Sequence, residues 1–164
     1  MSDSLTEYTP GKWIWTAQDF ENMGWHDVYI HGIAFDRSLL SLDIDYMFRW
    51  INPEPGETYY KFWLSPATLV FENVGEVRLS MESFGKPIIM DLTRSEEESI
   101  EGHQATWCWN IDCISGEISF RATGFTQFIR RAPIISGKQV FSEAERGGFS
   151  FSKDTPCGAG TVDE

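Results

Sequence analysis

Apolar and polar residues alternate with a period of two along the segment from Trp25 to Trp50. The first run reads WHDVYIHGIAF, the turn DRS follows, and the second run reads LLSLDIDYMFRW. Successive side chains of a β-strand point to opposite faces of the sheet, so such alternation is typical of half-buried strands. The segment therefore predicts an antiparallel β-hairpin.

A register with Phe35 opposite Leu39 assigns the two faces of this hairpin. One face is apolar and is expected to lie in the core; it carries Val28, Ile30, Ala34, Leu40, Leu42, Ile44, Tyr46 and Phe48. The other face collects polar side chains, namely Asp27, Tyr29, His31, Asp43, Asp45 and Arg49. In this register His31 faces Asp43 and Tyr29 faces Asp45, at the distance of about 5 Å between Cβ atoms that separates cross-strand neighbours.

Shorter alternating runs separated by turn residues follow as far as residue 131. Near Ser65-Pro66 the apolar residues change from even-numbered to odd-numbered positions. Phe62 and Leu64 precede the change, and Ala67, Leu69 and Phe71 follow it. One inserted residue at Pro66 would explain the switch, so a β-bulge is expected there. Before the hairpin, a short N-terminal helix is predicted through Asn22 or Met23, with Thr16 as its N-cap and Asp19 near its positive end.

The predicted fold class is all-β, an antiparallel meander of about seven or eight strands that forms an open or partly closed barrel or a two-layer sandwich. Three parts are expected along the chain: a flexible lead (1–11), a single all-β domain (12–135) and a polar tail (136–164). The tail is rich in Gly and Ser, and such composition predicts an extended or partly disordered segment. Its aromatic residues leave open that part of it docks on the domain.

The chain of 164 residues carries 25 Asp and Glu against 13 Lys and Arg, a formal net charge of −12. This charge argues against nucleic-acid binding, which needs a basic surface, and against adsorption to an anionic membrane. No apolar run has the length of a transmembrane helix. Three cysteines without a signal-like apolar segment predict free thiols and a cytoplasmic location.

The polar face of the hairpin is the candidate site. A histidine and two aspartates are possible metal ligands, and a sheltered face of this kind could instead hold a small ligand or a protein partner. The alternative is a solvated strand face on which His31 and Arg49 offset the aspartates. No metal-binding, nucleophile or phosphate-binding motif supports catalysis, so no enzymatic activity and no cofactor are expected, and the metal question stays open.

The chain is rich in aromatic residues. It has seven tryptophans, among them Trp50, and also the adjacent Tyr59 and Tyr60. Aromatic side chains can fill a core, line a hydrophobic pocket or stack on sugars. Trp107 and Trp109 alternate in step with Ala105 and Ile111, which favours a place in the core. The alternative is that the aromatic residues line a calycin-like ligand cavity.

The element WHD at the start of an alternating strand, followed by a short turn and LDIDYMFRW, resembles the opening of small bacterial all-β families. Some of these families are immunity-protein-like. The resemblance covers roughly residues 23–51 and implies an all-β fold, a bacterial cytoplasmic location and no known enzymatic activity. It carries over no catalytic residues.

The function expected from charge and resemblance together is binding rather than catalysis, as an acidic immunity-like inhibitor of a basic protein partner. Two alternatives remain: a small-ligand or metal-binding β-barrel, and a structural module that self-associates. The self-associating module would form a homodimer through an uncovered edge strand such as Tyr59–Leu64.

Overall fold

The computed structural model describes residues 8–82, 85–98, 102 and 104–158. Within these residues the chain forms ten strands and two short helices, with the following bounds. The strands are β1 (Ile14–Thr16), β2 (Val28–Asp36), β3 (Leu39–Ile51), β4 (Lys61–Glu72), β5 (Gly75–Met81), β6 (Ile88–Glu98), β7 (Thr106–Cys113), β8 (Gly116–Ala122), β9 (Gly124–Ile129) and β10 (Ile134–Ser136), and the helices are a 3-10 helix (Ala17–Asn22) and α1 (Glu143–Arg146). The predicted all-β class is confirmed, and the strand count is ten instead of seven or eight.

All ten strands belong to one antiparallel sheet that is not closed. The strand order is β1-β9-β4-β3-β2-β6-β7-β8-β5, and β10 lies beside β4 off this path. The two ends of the sheet are therefore β1 and β5. The start of β4, which the sequence suggested as an uncovered edge, is paired on both sides: Phe62 and Leu64 lie opposite Ser136 and Ile134 of β10 on one side, and β3 lies on the other.

The predicted hairpin is formed by β2 and β3, and its register differs by one residue from the expected one near the turn. Phe35 lies opposite Leu40, and Gly32 lies opposite Asp43. A bulge at His31 then shifts the register, so that Ile30 faces Ile44 as predicted. The bulge restores the apolar face where the hairpin enters the core.

The core lies between the two halves of the sheet, which face each other. Phe71 of β4 packs against Trp109 of β7 and Phe120 of β8, with ring centroids 5.3 and 4.7 Å apart. Phe125 of β9 lies 5.7 Å from Trp109. Six residues of the predicted apolar face are buried in this core, namely Val28, Ile30, Leu40, Leu42, Ile44 and Tyr46. Phe48 packs at its margin, whereas Ala34 lies opposite Ser41, outside it.

The expected bulge at Pro66 is wrong. Strand β4 runs without interruption past Pro66, which lies opposite Asp45, and the register shift falls in β3 between Met47 and Arg49. The apolar parity switches because β4 is buried on both faces: Ala67 and Leu69 face the core, whereas Phe62 and Leu64 pack with Met47 and Phe141 in a second apolar cluster.

The predicted N-terminal helix is confirmed as the 3-10 helix, which begins after its predicted N-cap Thr16, and the structure adds a capping box between Thr16 and Asp19. Within the described ranges, neither this helix nor any other has the length and apolar character needed to cross a membrane.

Residues 137–158, here called the C-terminal segment, contain one short helix, and parts of the segment dock on the sheet. Phe141 is 1% exposed, and α1 carries a complete capping box from Ser142 to Glu145. Phe151 approaches Gly32 so closely that a Cβ atom there would lie 3.1 Å from its ring. The C-terminal segment therefore covers the outer face of β2, β3 and β4. Residues 159–164, and residues 1–7 of the predicted lead, lie outside the described residues.

Candidate functional site

Strand β3 places Asp43 and Asp45 on the same face because they are two residues apart. Their neighbours Leu42 and Ile44 face the core, so both aspartates point to the outer face, which the C-terminal segment covers. Both aspartates are 0% exposed. A buried carboxylate needs a compensating charge or several hydrogen bonds, and the surrounding residues supply both.

Arg146 of α1 lies between the two carboxylates. Its Nη2 donates to Asp43 Oδ1 at 2.6 Å and its Nη1 to Asp43 Oδ2 at 2.8 Å. Its Nε donates to Asp45 Oδ1 at 3.2 Å. The planar guanidinium group thus makes a bidentate contact with one carboxylate and a third bond to the other, a geometry that lysine cannot reproduce. The Arg146 side chain is 1% exposed.

Arg130, which follows β9, contributes the second cation. Its Nη2 donates to Asp43 Oδ1 at 2.7 Å, and its Nη1 donates to Thr68 Oγ1 at 3.0 Å and to the carbonyl oxygen of Ser150. The Ser150 amide in turn donates to Asp43 Oδ2 at 3.0 Å. Asp43 therefore joins two arginines and the backbone of the C-terminal segment at one point.

Asp45 has a separate set of partners. His31 Nε2 donates to Asp45 Oδ2 at 2.7 Å, and the Phe141 amide donates to the same oxygen at 2.8 Å. The bulge in β2 at His31 places the imidazole beside Asp45 instead of opposite Asp43, where the sequence put it. The His31 side chain is 1% exposed. We call Asp43, Asp45, His31, Arg130 and Arg146 the charge cluster.

The electrostatics of the charge cluster favour the ionised carboxylates. Burial alone would raise the pKa of Asp43, but the hydrogen bond from Arg146, the Ser150 amide and the charge of Arg130 together lower it below its ordinary value. Burial likewise opposes ionisation of Asp45, and the bond from His31, the Phe141 amide and the charge of Arg146 lower its pKa. Two guanidinium groups balance two carboxylates, so the charges are paired within the fold.

The structure brings together three of the six predicted site residues, His31, Asp43 and Asp45. Asp27 lies at the start of β2 with φ of 64° and accepts a hydrogen bond from Gln139 Nε2 at 3.2 Å. Tyr29 lies opposite Ile88 of β6. Arg49 is exposed on β3, beyond its register shift. These three do not join the charge cluster.

Sequence reasoning missed Arg130 and Arg146, although one signal for Arg146 was present. Ser142 and Glu145 have the spacing of a capping box, and Gly147 follows directly after Arg146, as at a helix C-terminus. That pattern predicts a short helix inside the polar tail, with Arg146 in its last turn. Nothing in the local pattern indicates that the arginine reaches two aspartates about a hundred residues away.

The charge cluster joins distant parts of the chain, and its carboxylates have no oxygen left open for a ligand. Each of the four carboxylate oxygens of Asp43 and Asp45 accepts at least one hydrogen bond from a side chain or an amide of the protein. Where a metal ion would have to bind between the two carboxylates, the guanidinium group of Arg146 is present. In the described part of the chain, no group of three or more His, Cys, Asp or Glu residues has the geometry of a metal site.

Comparisons with known proteins leave the site to be interpreted on its own geometry. Neither a family model, nor a curated protein, nor a solved structure matches this chain.

The first prediction concerns the cation at the centre of the charge cluster. Arg146→Met removes the guanidinium group but keeps most of the side-chain volume, and it leaves two carboxylates buried with one cation fewer. Breaking a buried ion pair in this way costs about 3–5 kcal/mol, so we expect the free energy of unfolding in urea to fall by that amount. Arg146→Lys should recover only part of the loss, because an ammonium group cannot reproduce the planar contact.

The matched control is Arg49→Met, which removes the same charge from an exposed position on β3. None of the ion pairs between described residues involves Arg49, so this variant should unfold within about 0.5 kcal/mol of the parent chain. If the free energy of unfolding fell equally in the Arg49 and Arg146 variants, a structural role of the charge cluster would be contradicted.

The second prediction concerns pH. Because the pKa values of Asp43 and Asp45 are lower in the folded chain than in the unfolded one, their ionisation stabilises the fold at pH values above about 4. That contribution is lost as the pH falls from about 4 through the lower folded-state pKa values. Urea denaturation at a series of pH values from 6 downward should show a steep fall in the parent chain and a shallower one in Asp43→Asn.

The control for this series is Asp36→Asn, which removes an exposed carboxylate at the end of β2. Its pH dependence should follow that of the parent chain. If Asp43→Asn also followed the parent chain, Asp43 would not be a source of the acid sensitivity.

Proposed function

We propose that this protein acts by binding a basic protein partner, as an acidic inhibitor of the immunity-protein kind, through the outer face of β6, β7 and β8. The observation that carries the proposal is a line of three carboxylates on that face. Asp91 of β6 lies opposite Asp112 of β7, and Asp112 lies opposite Glu117 of β8. We call these three residues the acidic row.

The acidic row is exposed. Asp91, Asp112 and Glu117 are exposed to solvent. Their neighbours in sequence, Leu92, Ile111 and Ile118, are core residues and only 0–4% exposed. The alternation therefore directs the three carboxylates away from the core. The C-terminal segment is hydrogen-bonded to β3 and β4, and none of its hydrogen bonds among the described residues reaches β6, β7 or β8.

The acidic row keeps its negative charge in the described part of the chain. Among the described residues, no lysine or arginine forms an ion pair with Asp91, Asp112 or Glu117. Burial and the charge of Asp112 raise the pKa of the adjacent Cys113 thiol to about 11. Like charges directly opposite one another on neighbouring strands destabilise a sheet, so the acidic row has an energetic cost that a basic partner would remove.

The arrangement suits an extended positively charged surface better than a single ion. Cross-strand neighbours are about 5 Å apart at Cβ, so the acidic row spans about 10 Å over three strands. Carboxylates spaced in this way attract a basic surface during diffusional encounter and contact several of its side chains after docking. The net charge of −12 supports the same kind of partner.

The proposal moves the binding surface away from the face that the sequence indicated. The charge cluster is enclosed by the C-terminal segment, and its carboxylates already accept hydrogen bonds from Arg130 and Arg146. A partner would have to displace that segment to reach Asp43 or Asp45. The acidic row needs no such rearrangement.

The third prediction is that Asp112→Asn makes the fold more stable and the complex weaker. Removing the central charge of the acidic row relieves two like-charge contacts, so the free energy of unfolding should rise by about 0.5 kcal/mol at low salt. Capture of the basic partner from a lysate of the source organism should decrease about threefold, mainly through slower association. Thermal unfolding and quantitative mass spectrometry of captured proteins measure the two effects.

Asp36→Asn is the matched control, because it makes the same chemical change outside the acidic row and alters the net charge equally. It should change neither stability nor capture. The proposal fails if no basic protein is captured at about 50 mM salt and released at about 500 mM, or if the Asp36 and Asp112 variants capture the partner equally well.

A further inference from the structure

We propose that an aromatic groove at the end of β3, separate from the acidic row, is a binding site for a neutral saccharide. The groove lies between Trp50, the loop that leads into β4 and the start of the C-terminal segment. It consists of two adjoining cavities of about 340 and 380 Å³ that share Tyr59, Tyr60 and Gly137 in their walls.

Four aromatic rings line the groove, and three of them, Trp50, Tyr59 and Tyr60, are presented to solvent. Phe62 is 7% exposed and packs edge-on against Trp50, with ring centroids 5.2 Å apart. Trp50 and Tyr60 meet at 5.6 Å and 70° and remain 45% and 44% exposed. Tyr59 is 80% exposed, so its ring contributes little to the core. Such rings offer flat apolar faces to the C–H face of a sugar ring.

The rim of the groove supplies the hydrogen-bonding groups that sugar hydroxyls require. Thr58 and Gln139 bring a hydroxyl and an amide to its edge, and Lys61 Nζ donates to Glu57 Oε1 at 3.2 Å, which sets a donor beside an acceptor. Within the described part of the chain, the indole N–H of Trp50 has no protein acceptor. A pocket with apolar walls and a few convergent polar groups is the usual form of a small-molecule site.

The charges and boundaries of the groove favour a compact neutral ligand. Glu57 and Lys61 pair with each other, and only Lys138 adds a further charge to the lining, in a chain whose net charge is −12. The charges of the groove lining therefore complement neither an acidic nor a basic polymer. The start of β4 is paired with β3 and β10 on its two sides, so an extended peptide cannot add to this strand.

The fourth prediction tests this site with the full chain. We expect at least one member of an array of neutral glycans, which includes cellotriose, maltotriose and triacetylchitotriose, to bind. In a titration followed by two-dimensional NMR, that glycan should shift the Trp50 indole N–H signal and the Gln139 side-chain amide. Tyr59→Ala removes an exposed stacking ring without disturbing the core and should weaken binding about tenfold; Tyr59→Phe keeps the ring and most of the affinity.

The matched control is Phe35→Ala, which deletes another aromatic side chain, 59% exposed, at the end of β2. It should leave glycan binding unchanged. The proposal is overturned if no glycan on the array binds, if binding does not respond to Tyr59→Ala, or if a proline-rich peptide shifts the Trp50 signal while no glycan does.

Discussion

The contact of one guanidinium group with two buried carboxylates determines how the last described part of this chain is placed. Arg146 bonds to both Asp43 and Asp45, and the amides of Phe141 and Ser150 bond to the same two carboxylates. Because buried charges are tolerated only when they are paired and hydrogen-bonded, the aspartates and the C-terminal segment depend on each other. Without the segment, Asp43 would keep Arg130 and Asp45 would keep His31 as its side-chain partner among the described residues, and both carboxylates would lose Arg146.

This constraint separates the molecule into surfaces with different roles. The outer face of β2, β3 and β4 is enclosed by the C-terminal segment, so its polar residues serve the fold. In the described part of the chain, the outer face of β6, β7 and β8 has no such cover, and its acidic row is exposed. The start of the C-terminal segment also forms one side of the aromatic groove at Gly137. The charge cluster thereby supports the groove without contributing a ligand to it.

The sequence predicts the fold where a two-residue period is sustained. It placed Leu42 and Ile44 in the core and set Asp43 and Asp45 together on the opposite face. It could not predict the bulge at His31, because one inserted residue changes the register without changing local composition. It also missed the cations, since Arg146 lies 103 residues from Asp43 in a stretch of Gly, Ser and charge that is typical of disorder. A two-residue period indicates a strand with one face in water, whereas both faces of β4 are covered by protein.

Native-state amide hydrogen exchange of the unmodified chain tests most directly whether the charge cluster holds the C-terminal segment on the sheet. We expect the Phe141 and Ser150 amides, which donate to Asp45 and Asp43, to exchange at least about a hundredfold more slowly than in an unstructured peptide. The nearby Phe149 amide, without a hydrogen-bond acceptor among the described residues, should exchange much faster. Exchange of Phe141 and Ser150 at the rate of an unstructured peptide would contradict the account.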